Sequence, residues 1–133
     1  MTNQFDLVII GGGMVGNAFA CALADTNLSI ALIETQLPSA PQDIANTVAD
    51  VDMRVSALNR ASENFLRHIG AWQNMSADRL SAYDKMRVWD GEGTGHIQFD
   101  SLSMGESHLG HIVENRVTAS ALLICLQNKS NLR

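Results

Sequence analysis

The stretch that most limits what this chain can become is Gly11-Gly12-Gly13-Met14-Val15-Gly16 and its two flanks. Leu7-Val8-Ile9-Ile10 before it is a short apolar run rich in β-branched residues, which reads as a strand buried on both faces. Small and apolar residues follow to Ala24 and suit a helix, then a second apolar run, Ile30 to Ile33, ends at Glu34. Strand, glycine turn, helix, strand and acid is the order of a dinucleotide-binding βαβ unit. Gly11 permits the sharp turn out of the strand, Gly13 lets the backbone approach a pyrophosphate, and Gly16 lets the helix lie close to the sheet. The N–H groups of Met14, Val15 and Gly16 then face the phosphates with the positive end of the helix dipole behind them. Glu34 is placed to accept hydrogen bonds from both ribose hydroxyls, and its charge repels a 2′-phosphate, which argues against NADP.

A glycine pattern alone can be an ordinary turn; here the flanking strands, the alanines at 18, 20, 22 and 24 and the terminal acid all agree with it. Two further positions favour FAD over NAD. Flavoprotein versions of the unit carry a small residue four positions after the last glycine and a glycine seven beyond that. This chain has Ala20 and Asn27 there. Asn is the next-best residue for a left-handed conformation ending the helix.

A length of 133 residues suffices for one domain with a core. The net charge of −5 is spread along the chain without a basic patch, which excludes nucleic acid as the expected partner. Cys21 and Cys125 match no metal or redox spacing, so a reduced, cytoplasmic compartment is the simplest reading. The N-terminus carries no positive charge and the apolar run after it is broken by glycines, unlike a signal peptide or a membrane span. Any membrane contact is expected to be peripheral, at the inner membrane.

Residues 36–50, with Pro38 and Pro41, read as a surface loop. Arg54 follows, ahead of a helix expected over about Asn59–Ile69, with Leu58, Ala61, Phe65, Leu66 and Ile69 on one face and Gly70 as its stop. From spacing alone, Arg54 is a surface salt bridge to Asp50 or Asp52; the sharper alternative is a guanidinium over phosphates. Met86–Asp90 and His96–Asp100 alternate apolar and polar about a glycine-rich turn, as a hairpin does. His108 and His111 stand three apart, but no third ligand is near in sequence, so zinc is not expected and no metal ligand is assigned. Ile112 to Leu126 suits a short strand leading into a helix.

Several segments together resemble one family: the glycine unit, Arg54 to Leu58, Leu66 to Trp72, Val88-Trp89-Asp90, and above all His108 to Asn115 (HLGHIVEN). They are similar to the FAD-dependent aromatic hydroxylases of ubiquinone biosynthesis, of the 2-octaprenylphenol hydroxylase type. The resemblance implies an α/β fold, a Rossmann-like FAD-binding βαβ unit with an added β-hairpin, as the N-terminal part of the p-hydroxybenzoate hydroxylase fold. It implies that Arg54 lies along the FAD and that Asn115, where relatives carry Arg or Gln, touches the cofactor. It further implies flavin monooxygenation, with NAD(P)H as reductant, O2 as oxygen source and a hydrophobic phenol as substrate, and association with the membrane periphery or a biosynthetic complex. Family members run to about three times this length, so residues 1–133 are expected to be an incomplete FAD-binding domain, inactive alone, with no catalytic residue assignable. An NAD-dependent oxidoreductase and a non-catalytic remnant serving as a binding module stand as alternatives.

Overall fold

The computed structural model describes residues 4–36, 51–127 and 129–132. The loop expected over 36–50 therefore lies outside the described residues except at its first position, and so does Asp50, one of the two acids offered to Arg54.

The first unit is the expected one. Strand β1 (Leu7–Ile10) leads through the glycine turn into helix α1 (Met14–Leu23), and strand β2 (Ile30–Ile33) returns parallel to β1, with Leu7 opposite Ile30 and Ile10 opposite Ile33. Leu132 bridges to Ile30 on the far edge of β2, where the Ile30 N–H donates to the Asn131 carbonyl at 2.9 Å. Burial of β1 differs from expectation. Ile9 is buried against Ala20 of α1, whereas Val8 is half exposed and Ile10 is 86% exposed. Successive strand residues point to opposite faces: Ile9 faces α1, whereas Val8 and Ile10 share the other face, which is only partly covered.

The end of α1 also departs from expectation. No residue other than glycine has a positive φ among the described residues, so Asn27 is not left-handed. Instead the Thr26 N–H and hydroxyl both donate to the Leu23 carbonyl, at 3.0 and 2.7 Å, and Asn131 Nδ2 donates to the carbonyls of Leu23, Thr26 and Leu28. The last carbonyl of the helix, that of Leu23, is satisfied by Thr26 and Asn131 without a left-handed residue.

The rest of the chain builds an antiparallel layer. Strand β3 (Val55–Asn59), to which the sequence assigned no element, pairs with the later β7 (Gly110–Glu114), and the three-residue β4 (Ser81–Tyr83) pairs with its other edge. Helix α2 (Arg60–His68) is capped by Asn59, whose Oδ1 accepts from the Ser62 N–H at 2.9 Å, and it stops at Gly70, φ +79°. Its expected face is buried only in part, with Leu58 and Ile69 packed against the core. Leu66 is buried, but so is Glu63, while Ala61 and Phe65 are exposed. The carboxylate of Glu63 is surrounded by cations and imidazoles, which turns that side of the helix inward. Strands β5 (Lys85–Trp89) and β6 (His96–Asp100) form the expected hairpin, closed by the Asp90 N–H donating to the Gly95 carbonyl at 2.9 Å.

Helix α3 (Asn115–Leu126) follows β7 directly and packs against α1. The main core lies between these helices, α2 and β7, and includes Cys21, Leu66, Trp72, Val113, Val117 and Leu122.

Candidate cofactor site

The turn between β1 and α1 takes its shape from three positions. Gly11 stands at φ +104°, where a side chain is strained, while its N–H still donates to the Ile33 carbonyl at 2.8 Å. A Cβ on Gly16 would lie 1.9 Å from the Gly11 carbonyl oxygen, so the helix can sit this low only without one. A Cβ on Gly13 would meet no atom within 4 Å. Gly13, the residue before the helix, opens on a hollow of about 510 Å³ lined also by Ile10, Gly11, Met14, Val15 and Gly16. No side chain caps α1 and no acid lies in its first turn, so the N–H groups at its start are left for an external acceptor.

Glu34, at the end of β2, faces this turn. Its Oε2 accepts from the Gly12 N–H at 2.6 Å, while Oε1 accepts from the Thr35 N–H, the Thr35 hydroxyl and the Gln36 N–H at 2.6, 2.9 and 3.2 Å. The Gly12 amide first, then those of Gln36 and Thr35, hold the carboxyl below the usual glutamate range. Oε1 is filled by its own strand end, which leaves the outer side of Oε2 for a ligand hydroxyl. Behind the turn, Asn17 is 1% exposed and its Nδ2 donates to the Gly12 carbonyl at 2.7 Å. Its signal in the sequence was a lone amide within an otherwise apolar and small helix.

Arg54 and Asn115 form a second group. The Asn115 N–H donates to the Arg54 carbonyl at 2.8 Å, and Asn115 Oδ1 accepts from the Ser56 hydroxyl at 2.6 Å. Arg54 is exposed, its own N–H donates to Asp52 Oδ1, and among the described residues no carboxylate lies within salt-bridge distance of its guanidinium. The structure thus joins Gly11, Gly13, Met14, Val15, Gly16 and Glu34 in one cluster and Arg54 with Asn115 in another. No hydrogen bond links the two among the described residues. Buried Glu114 supports the second cluster: its Oε2 accepts from the Asp52 N–H and its Oε1 from Arg79, both at 2.7 Å. A lone glutamate inside the HLGHIVEN segment gave no sign of that role.

No family model matches the chain. Over 130 residues it is 38% identical to the 3-demethoxyubiquinol 3-hydroxylase of Escherichia coli (strain K12), an overlap of 96% of this chain and 32% of that protein. Over 131 residues it is 37% identical to the mitochondrial ubiquinone biosynthesis monooxygenase COQ6 of Danio rerio, covering 96% of this chain and 26% of the relative. The chain thus spans about a third or less of the length of the curated relatives it matches. Among solved structures, Pseudomonas aeruginosa PqsL superposes with a TM-score of 0.70 at 14% identity, over 98% of this chain and 33% of that one. The myxobacterial chondrochloren halogenase CndH, described as a variant of FAD-dependent halogenases, gives 0.64 at 19% identity, over 97% and 28%. The p-nitrophenol 4-monooxygenase PnpA of Pseudomonas putida DLL-E4 gives 0.65 at 16%, over 95% and 30%. The chain is therefore similar to ubiquinone-biosynthesis hydroxylases over about a third or less of their length, and it shares its fold with a p-nitrophenol monooxygenase and an FAD-dependent halogenase.

Proposed function

We propose that residues 1–133 are the N-terminal, adenosine-binding portion of an FAD-dependent aromatic hydroxylase that acts on a polyprenylphenol in ubiquinone biosynthesis. The observation that carries this reading is an uncapped helix start behind an open glycine turn, with a carboxylate seated beside it. In this reading Gly13 and the amides of Met14, Val15 and Gly16 receive the pyrophosphate, while Glu34 takes a ribose hydroxyl on Oε2. Arg54 lies along the phosphates, and Asn115, whose Nδ2 makes no hydrogen bond among the described residues, donates to the cofactor. When bound, FAD supplies the redox chemistry, with NAD(P)H as electron donor and O2 as oxygen source. The residues present bind and orient; the phenol pocket belongs to the larger part of the fold that the relatives possess, so this portion alone binds FAD weakly and hydroxylates nothing. No helix among the described residues is long and apolar enough to cross a membrane. A prenylated substrate would be met at the membrane surface.

The purified chain titrated with FAD, ADP and NAD, followed by flavin fluorescence quenching and thermal shift, tests the reading. FAD and ADP are expected to bind and NAD to bind less well. A preference for NAD would overturn the flavin assignment, and silence with all three would leave a binding module without cofactor. Glu34→Ala should weaken FAD and ADP alike by on the order of tenfold; an unchanged affinity would remove the ribose contact.

A further inference from the structure

Three potential metal-binding side chains that are distant in sequence meet at the opposite end of β7 from Asn115. Ligand atoms of Glu63, His108 and His111 lie within 4.8 Å of one another, with side chains only 3%, 17% and 14% exposed. The third ligand that the sequence did not place near the two histidines is therefore supplied by α2. Glu63 Oε2 stands 3.0 Å from His108 Nε2 and 3.3 Å from His111 Nδ1. The imidazole centroids are 4.6 Å apart at an interplanar angle of 69°. From these groups we infer a binding site for a divalent transition-metal ion of the Zn2+ type, with Glu63 Oε2, His108 Nε2 and His111 Nδ1 as its ligands.

Hydrogen bonding alone does not reconcile these atoms. Arg60 Nη1 lies 2.8 Å from His108 Nε2, and a guanidinium can only donate, so Nε2 must present a lone pair to it. Glu63 Oε2, 3.0 Å from the same nitrogen, can only accept, so Nε2 would need a proton toward it. One nitrogen cannot do both. His111 Nδ1 is buried and has no hydrogen-bond partner, although it faces the same carboxylate oxygen. Three electron-pair donors thus converge, and the positive charge among them is one nitrogen of Arg60.

The surroundings suit an ion taking that place. Arg67 holds the other oxygen of Glu63, with Nη2 at 2.9 Å and Nε at 3.2 Å from Oε1, so that among the described residues Oε2 faces only the two imidazoles and, at 3.4 Å, the Arg60 Nη1 that an ion would displace. The Ser107 hydroxyl lies 2.8 Å from His108 Nδ1 and fits the tautomer whose Nε2 is a ligand, the usual role of an outer partner at a metal-bound histidine. Arg60 has somewhere to go: its Nη2 already reaches Glu106 Oε2 at 3.3 Å, and its side chain is 36% exposed. Two imidazoles and a carboxylate leave an open coordination position for water, as at non-structural zinc sites. The site stands one strand length, roughly 13 Å, from Asn115. Its expected effect is to clamp α2 to the segment entering β7.

The test is titration of the metal-stripped full chain with Zn2+ by calorimetry and with Co2+ by visible absorption, for wild type, Arg60→Gln, His108→Ala and His111→Ala. One equivalent should bind, with a low-coordinate Co2+ spectrum. Arg60→Gln should bind on the order of tenfold more tightly because the competing cation is gone. Both histidine variants should lose the ion, and if His111→Ala does not fold, His108→Ala decides. Absence of saturable binding in both wild type and Arg60→Gln would overturn the site, as would binding that survives in His108→Ala. A purely structural ion-pair cluster predicts weaker stability and no metal response in Arg60→Gln.

Discussion

Gly13→Ala should leave the melting temperature of the chain unchanged or slightly raised, and yet lower its affinity for FAD and for ADP by tenfold or more. Gly13 has φ −74°, so alanine suits its backbone, and its Cβ would touch nothing in the protein. Loss of glycine freedom in the unfolded chain adds on the order of 0.4–1 kcal/mol of stability. In the proposed site the cost falls on the ligand, because the methyl group would stand between a pyrophosphate and the amides of Met14, Val15 and Gly16. Gly16→Ala should behave oppositely in the melt. Its Cβ would stand 1.9 Å from the Gly11 carbonyl oxygen and 3.1 Å from the carbonyl carbon, and backbone atoms cannot swing aside. The helix must lift from the turn, at a cost of roughly 1–3 kcal/mol or more, which lowers the melting temperature by on the order of 10 °C. Thermal shift and ADP titration on the two variants separate the roles. If Gly13→Ala binds as tightly as wild type, the open face of the turn is not a phosphate site.

Local signals carried the first third of the fold. The glycine turn, the two apolar runs and Glu34 lie within one supersecondary unit, and the hairpin is likewise decided by alternation on either side of its own turn. What escaped depends on partners far along the chain. β4 is a strand only because Ser81–Tyr83 meets β7, and β3 because Val55–Asn59 meets the other edge of the same strand. Glu63, to which the sequence assigned no role, is buried because His108 and His111, 45 and more residues later, lie on it. The expected face of α2 holds at Leu58, Leu66 and Ile69 but not at Phe65, because a carboxylate with enough charged partners is buried beside Leu66. Asn27 failed differently, since three hydrogen bonds from Asn131 stabilise a region whose sequence suggested a left-handed cap. In the candidate site, Glu34 was legible as an acid after a strand, but the saturation of its Oε1 by Thr35 and Gln36 was not.

Glu114→Gln should cost roughly 3–5 kcal/mol at neutral pH, a large part of a small domain's stability. The carboxylate is 6% exposed, 2.7 Å from an Arg79 guanidinium that is 7% exposed, and 2.8 Å from Arg116 Nε. Burial pushes the Glu114 carboxyl up, but the Asp52 amide, Arg116 and Arg79 together outweigh it and hold the group below the ordinary glutamate value of 4.5. A lowered folded-state pKa means that the unfolded chain takes up the proton first. The stabilisation is thus complete at neutral pH and disappears as pH falls below about 4.5 toward the folded value. Urea unfolding at a series of pH values should therefore show the gap between wild type and Glu114→Gln closing in acid. A gap of constant size down to pH values where glutamate is protonated would mean that packing, and not charge, accounts for the loss. The same variant should also weaken FAD binding without touching the cofactor, because Glu114 ties the Asp52–Arg54 segment to the start of α3. The Asn115 N–H bond to the Arg54 carbonyl at 2.8 Å depends on that alignment.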